Sequence, residues 1–333
     1  MTHVQTVLGP VDDSDLGRVL VHEHIRISYA GDHLDPSYSW NRADCIATSV
    51  ERMHQLQEHG VKTFVDPCPI ELGRDPELMA EVAQQSGMHV VCSTGFYHEH
   101  DAIGHPYYWR VRSPEEVAEF LLHEIANGIG ETGIKPGVIK IASGAPPTDS
   151  DRKFLHGAAI AAKESGLPVV SHCENSQGGD VQQDILAEHG VDLGHALIGH
   201  QDQADSADQH LEIARRGSFV GIDRIGLFLA PDEHRADCIK AIVDAGLVGH
   251  VLLSQDHMCC LASPKFPYPI PPAMQEAFEQ MLPTIYEQMY RRPHTYVFTD
   301  FLPLLRDRGI DDATIDAMFA ENTRRFLTGA GPQ

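Results

Sequence analysis

The residues able to do chemistry gather in five short stretches. Val21-His22-Glu23-His24 sets two imidazoles two positions apart. On a strand, i and i+2 share a face, so His22 and His24 are placed to hold one metal ion while Glu23 points away. Val138-Ile139-Lys140-Ile141-Ala142 puts a lysine inside an apolar run; a buried ammonium is costly without a partner and readily loses its proton. Val169-Val170-Ser171-His172 and Leu197-Ile198-Gly199-His200 end in histidine, and Val251-Leu252-Leu253-Ser254-Gln255-Asp256 ends in aspartate. Four histidines, a lysine and an aspartate exceed the three protein ligands plus water of a single catalytic zinc, and suit two divalent ions sharing bridges. A further His-x-His pair, His98 and His100, is read as a decoy, as is His257, whose parity differs from that of Asp256.

Each stretch ends an apolar, β-branched run. The runs are Val19–Ile25, Thr63–Cys68, His89–Phe96, Gly137–Ala142, Pro168–Cys173, Ala196–His200, Ser218–Ile225 and His250–Asp256. Amphipathic stretches such as Glu115–Asn127, Asp149–Ser165 and Asp208–Arg216 lie between them, often closed by a glycine (Gly60, Gly87, Gly166, Gly190, Gly217, Gly246). Strands apolar throughout and alternating with helices predict a parallel sheet buried on both faces. Eight such units predict a (β/α)8 TIM barrel, in the α/β class, with the polar strand ends on the C-terminal rim where barrels keep their active sites. No Gly-x-Gly-x-x-Gly follows the first strand, against a dinucleotide-binding sheet. The chain is read as one domain, 1–333. Residues 258–296 form a long Pro-rich loop after strand eight that would serve as lid or substrate wall, with a helix near Ala273–Tyr290. Closing helices are expected at Thr299–Arg308 and Asp311–Leu327.

Composition narrows the function classes. With 25 basic and 48 acidic residues the formal charge is −23, against nucleic acid and anionic membrane surfaces as partners. No apolar run approaches the ~18–20 residues needed to cross a bilayer. Met1 to Asp15 lack a leader pattern. Seven cysteines, an odd count without a CxxC pair, argue against a disulfide framework, so the expected setting is cytoplasmic. The 21 histidines in 333 residues agree with metal binding.

The set of His22 and His24 on strand one, Lys140 on strand four, His172 and His200 on strands five and six, and Asp256 on strand eight resembles the binuclear amidohydrolase superfamily. Further stretches narrow the likeness to the phosphotriesterase family and its lactonases, over nearly the whole chain except the strand-eight loop. They are Thr6-Val7-Leu8-Gly9, Leu20-Val21-His22-Glu23-His24, Gly137-Val138-Ile139-Lys140, Gly190-Val191-Asp192-Leu193, Ile198-Gly199-His200, Gly221-Ile222-Asp223-Arg224 and Glu321-Asn322-Thr323-Arg324-Arg325-Phe326. The resemblance implies that His22, His24, Lys140 and Asp256 hold a buried ion, and that Lys140, His172 and His200 hold an exposed one. A carboxylated Lys140 and a hydroxide would bridge two divalent metals, zinc first, with cobalt, manganese or iron as alternatives. It also implies catalytic roles for Asp256 as proton carrier, Tyr97 beside the exposed ion and Arg224 at the substrate, and a homodimer. The residues alone leave Tyr97 open as a packing aromatic and Arg224 open as a partner of Asp223.

The implied reaction is hydrolysis of lactones, N-acyl-homoserine lactones first (quorum quenching), by hydroxide attack on the ring carbonyl, with promiscuous phosphotriesterase activity. A neutral lactone suits a strongly acidic protein, and Leu261, Phe266, Tyr268 and Ile270 could cover an acyl chain. The alternative is an organophosphate triester or carboxylic ester hydrolase; a non-catalytic metal-binding barrel would have no use for Lys140. Two departures from the lactonases stand out. Cys173-Glu174-Asn175 replaces the usual Thr-Asn, placing a carboxylate with the inward parity of His172, and the strand-eight loop is longer than in compact thermophilic lactonases.

Overall fold

The computed structural model describes residues 2–99, 103–265 and 271–333. His100, Phe266, Pro267, Tyr268, Pro269 and Ile270 lie outside the described residues. The eight apolar runs form eight strands: β1 (Arg18–Leu20), β2 (Val61–Asp66), β3 (His89–Gly95), β4 (Val138–Ser143), β5 (Val169–Cys173), β6 (Ala196–Ile198), β7 (Phe219–Ile222) and β8 (Val251–Leu253). They run in sequential order, each parallel to the next. Helices lie between them, which makes the predicted (β/α)8 barrel. The seam between β8 and β1 closes one step further on, where His24–Ile27 pairs in parallel with Met258–Leu261.

Strand one was expected to run unbroken over Val19–Ile25, and here the structure differs. The Glu23 carboxylate lies in the seam, fully buried, and accepts from the Ser254 hydroxyl and from the backbone N–H groups of Gln255 and His257 at 2.8, 2.8 and 3.0 Å. It takes the place of a ladder carbonyl and splits the strand. The split decides where the histidines point. Val19 and Val21 belong to the inner core with Val138, Val170, Leu197 and Leu252, so strict alternation would send His22 outward. The backbone after Val21 is irregular and brings both His22 and His24 to the rim.

Both β6 and β8 stop short of their predicted ends, His200 and Asp256, for a related reason. His200 and Asp256 have φ of 56° and 52°, left-handed values that end β6 and β8 and cost non-glycine residues energy. Chain parity therefore does not govern Asp256 and His257. His257 does turn away, stacking on His294 at 4.5 Å between ring centres. The strand-seven run, predicted to reach Ile225, ends at Ile222, leaving Asp223 and Arg224 on the rim.

The connecting helices follow their sequence signals. Pro114–Asn127 and Asp149–Ser165 each open with a reciprocal capping box, Ser113 with Glu116 and Thr148 with Asp151. The glycine at each predicted helix end has positive φ, as at Gly87 and Gly166 (both 73°). The helix expected near Ala273–Tyr290 spans Gln275–Tyr286 and continues as a π-helical turn, Glu287–Arg291. The single closing helix expected at Asp311–Leu327 is two, Asp312–Phe319 and Glu321–Thr328. The second packs beneath the barrel, where Asn322 donates to the carbonyls of Val248 and Val251 at the start of β8.

Candidate active site

The rim cluster has an inner and an outer half. In the inner half, each imidazole is held from behind by a buried carboxylate. Asp223 binds Nδ1 of both His22 (2.8 Å) and His200 (2.9 Å), and Asp66 binds Nδ1 of His24 at 3.0 Å. Those bonds turn all three Nε2 atoms toward Asp256, whose carboxylate lies 3.2 Å from His24, 3.8 Å from His22 and 3.7 Å from His200. Lys140 Nζ stands 3.1 Å from His22 Nε2. Carboxylates behind ligating histidines fix tautomer and ring angle, the common architecture behind metal ligands.

The electrostatics follow from burial. Desolvation lowers His22 to about 3, helped by the neighbouring Lys140. Desolvation also lowers Lys140 to about 8, against the pull of Asp256 and Asp223, so a neutral amine is within reach near physiological pH. Burial would raise Asp256 and Asp223, but the histidines around them hold both well below the usual carboxylate range. Two buried carboxylates, Asp66 and Asp223, and the partly exposed Asp256 thus converge on inward-facing imidazoles. That donor set fits divalent cations.

The outer half is different. His172 is stacked edge-on to His200 at 4.4 Å, and its Nε2 meets Glu174 Oε2 at 2.9 Å and the Tyr97 hydroxyl at 3.4 Å. His98, set aside in the sequence as a decoy, is 2% exposed and stacked on His172 at 5.1 Å, and its Nε2 is 3.6 Å from Glu174. The sequence reading missed it because a loop histidine carries no periodic signal. At the mouth, Arg224 donates through Nε to Asp256 Oδ2 at 2.9 Å. It does not pair with Asp223, which is occupied by the two imidazoles.

All eight residues singled out in the sequence, His22, His24, Tyr97, Lys140, His172, His200, Arg224 and Asp256, line one cavity of about 80 Å³. Its remaining wall is mostly apolar: Ile27, Leu72, Met258 and Met289, the last two from the strand-eight loop, with Tyr29 beside them. Sequence reasoning missed the supporting carboxylates. Besides Glu23, Asp66 and Asp223, Asp202 accepts from the backbone of Asp223 and Arg224 and is locked by the fully buried Arg235 at 2.7 Å. Glu71 accepts from the Tyr97 backbone N–H, and burial raises its carboxyl to about 7. Acidic residues ending apolar runs, as in Val65-Asp66 and Ile222-Asp223, were the available signal.

An eight-stranded parallel barrel with this rim cluster defines a class, the barrel hydrolases that work with metal ions. Residues 2–327 match the phosphotriesterase family, and the chain belongs to it. It is similar to the aryldialkylphosphatase of Saccharolobus solfataricus, 32% identical over 326 residues that cover 96% of this chain and 97% of that one. The solved organophosphorus hydrolase from Deinococcus radiodurans superposes with a TM-score of 0.87 at 30% identity, covering 98% of this chain and 97% of that one. Another solved chain, described as engineering of organophosphate hydrolysis activity from a weak promiscuous lactonase template, gives 0.85 at 31% identity, with 98% and 100% covered. The chain is accordingly a metal-dependent hydrolase of ester bonds. Among the described residues, no helix is long and apolar enough to cross a membrane.

Proposed function

We propose that the chain hydrolyses lactones, with N-acyl-homoserine lactones as first substrate class, and turns over phosphotriesters more slowly. The observation that carries this reading is the cavity itself, in which one wall of ionisable groups faces an apolar wall of Ile27, Leu72, Met258 and Met289. This reading places the lactone ring against the first and the acyl chain against the second. His22, His24, Lys140 and Asp256 would hold one divalent ion, and Lys140, His172 and His200 a second, with Lys140 carboxylated. Ions bound there would lower the pKa of water and polarise the ester carbonyl.

The side chains have separate tasks. Asp256, held between His24 and Arg224, takes the proton of the attacking water and returns it to the departing ring oxygen. The Tyr97 hydroxyl, 3.4 Å from His172, donates to the oxyanion that forms on the carbonyl. Arg224 orients the substrate at the mouth. The product is an open-chain hydroxy acid, whose negative charge is repelled by a protein of formal charge −23.

A second reading keeps the site and takes an organophosphate triester as main substrate. It is favoured by the names of the Saccharolobus and Deinococcus relatives. A proton-release assay on metal-loaded protein separates the two, comparing a long-chain N-acyl-homoserine lactone with an aryl phosphotriester. Lactone kcat/KM far above triester kcat/KM is expected. The reverse order would move the assignment to phosphotriesters, and silence on both would sink it.

A further inference from the structure

We infer that Glu174 and His98 are additional ligands of the outer metal position, giving it a carboxylate and an imidazole of its own. The inference deepens the two-ion reading above and rests on it. Glu174 Oε2 lies 2.9 Å from His172 Nε2 and 3.6 Å from His98 Nε2, the three residues offer ligand atoms all within 4.8 Å of one another, and the two rings stack at 24°.

The tautomer of His98 sharpens the point. Its Nδ1 meets the Glu99 carbonyl at 3.2 Å, and a carbonyl only accepts, so Nδ1 carries the hydrogen. That leaves Nε2 as the ring atom facing the Glu174 carboxylate, 3.6 Å away. An imidazole nitrogen and a carboxylate oxygen brought together beside His172 make a donor set that suits a divalent cation.

Glu174 is also held in place rather than left free to swing. The chain turns through left-handed backbone at Asn175 (φ 51°) and Ser176 (φ 59°). Ser176 Oγ donates to the His200 carbonyl at 2.5 Å and accepts from Gln203 N at 2.9 Å. This couples the Glu174 turn to the strand end that carries His200. The outer position then has up to five protein donors, from Lys140, His172, His200, Glu174 and His98. A hard oxygen among them favours ions that take five or six ligands over tetrahedral zinc.

The test is metal stoichiometry. Chelator-stripped wild type, Glu174→Gln and His98→Asn are reloaded with Zn²⁺ or Mn²⁺, passed through gel filtration and assayed by elemental analysis, with calorimetric titration of each equivalent. Wild type should bind two equivalents. Each variant should keep the first and bind the second roughly 10–100-fold more weakly, with unchanged melting of the metal-free protein. Unchanged affinity for the second equivalent overturns the inference, and tighter binding overturns it by showing that Glu174 competes for His172. Fewer than two equivalents in wild type overturns the two-ion reading and this inference with it. If a variant fails to fold, Co²⁺-substituted wild type decides: weak visible bands of a five- or six-coordinate ion are expected, and two intense tetrahedral spectra would refute it.

Discussion

The inner and outer halves of the rim cluster use the same residue types and support them in opposite ways. His22, His24 and His200 are gripped through Nδ1 by fully buried Asp66 and Asp223, and their Nε2 atoms face inward. His172 has a carboxylate on Nε2, the partly exposed Glu174. In one half the acids stand behind the imidazoles; in the other the acid stands in front of one. The difference teaches that the inner half is set by the barrel's own core, whereas the outer half depends on a turn after β5 and on a loop histidine. Rigidity belongs to the first; on the proposed two-ion reading, metal preference is set by the second.

The strongest way to break the comparison is to remove the residue that joins the halves. Lys140→Ala should abolish retention of both ions and nearly all turnover, with partial rescue by added short carboxylic acids. Elemental analysis and the proton-release assay would read it, and full activity with two ions bound would end the bridging role. Next comes Asp256→Asn, expected to keep the fold and most of the metal while kcat drops by about 10²–10⁴-fold; an unchanged kcat would remove the proton-carrier assignment.

Asp223→Asn probes the inner support directly. Losing the carboxylate shared by His22 and His200 should weaken binding of both ions by roughly 10–100-fold, measured by calorimetry, because His22 would hold the first and His200 the second. Unchanged binding of the first ion would show that the buried acids do not set the inner half. A milder test uses pH. Burial depresses Lys140 to about 8, so its amine is neutral above that pH and protonated below it. The rate of reconstitution of metal-free protein with metal and bicarbonate should therefore rise with pH and level off above about 8. A flat profile from pH 6 to 9 would exclude carboxylation of Lys140 as the limiting step. Smallest is Tyr97→Phe, which removes one hydroxyl at a site already built from charges. It should lower kcat by about tenfold or less, in line with ~1 kcal/mol for one hydrogen bond. A loss of a thousandfold would place Tyr97 among the essential groups.

Much of this was legible in the chain. Local apolar runs closed by capping signals and positive-φ glycines such as Gly87 and Gly166 specified eight strand–helix units, because burying both faces of a strand demands uninterrupted apolar side chains. A lysine inside an apolar run pointed to Lys140, and the polar residue ending a run to His172, His200 and Asp256, since such residues are costly in a core. What one strand's pattern could not contain was the effect of its neighbours. Glu23 breaks β1 because three donors reach it from the far end of the barrel. His200 and Asp256 leave strand geometry in left-handed conformations that only surrounding bonds can hold. Asp66, Asp223 and Asp202 support the site through partners remote in sequence, and His98 enters it from a loop. Composition and periodicity are local quantities and determined the barrel and its ring of polar ends. The aim of each side chain within that ring is a property of contacts between distant segments, and the tertiary structure alone decided it.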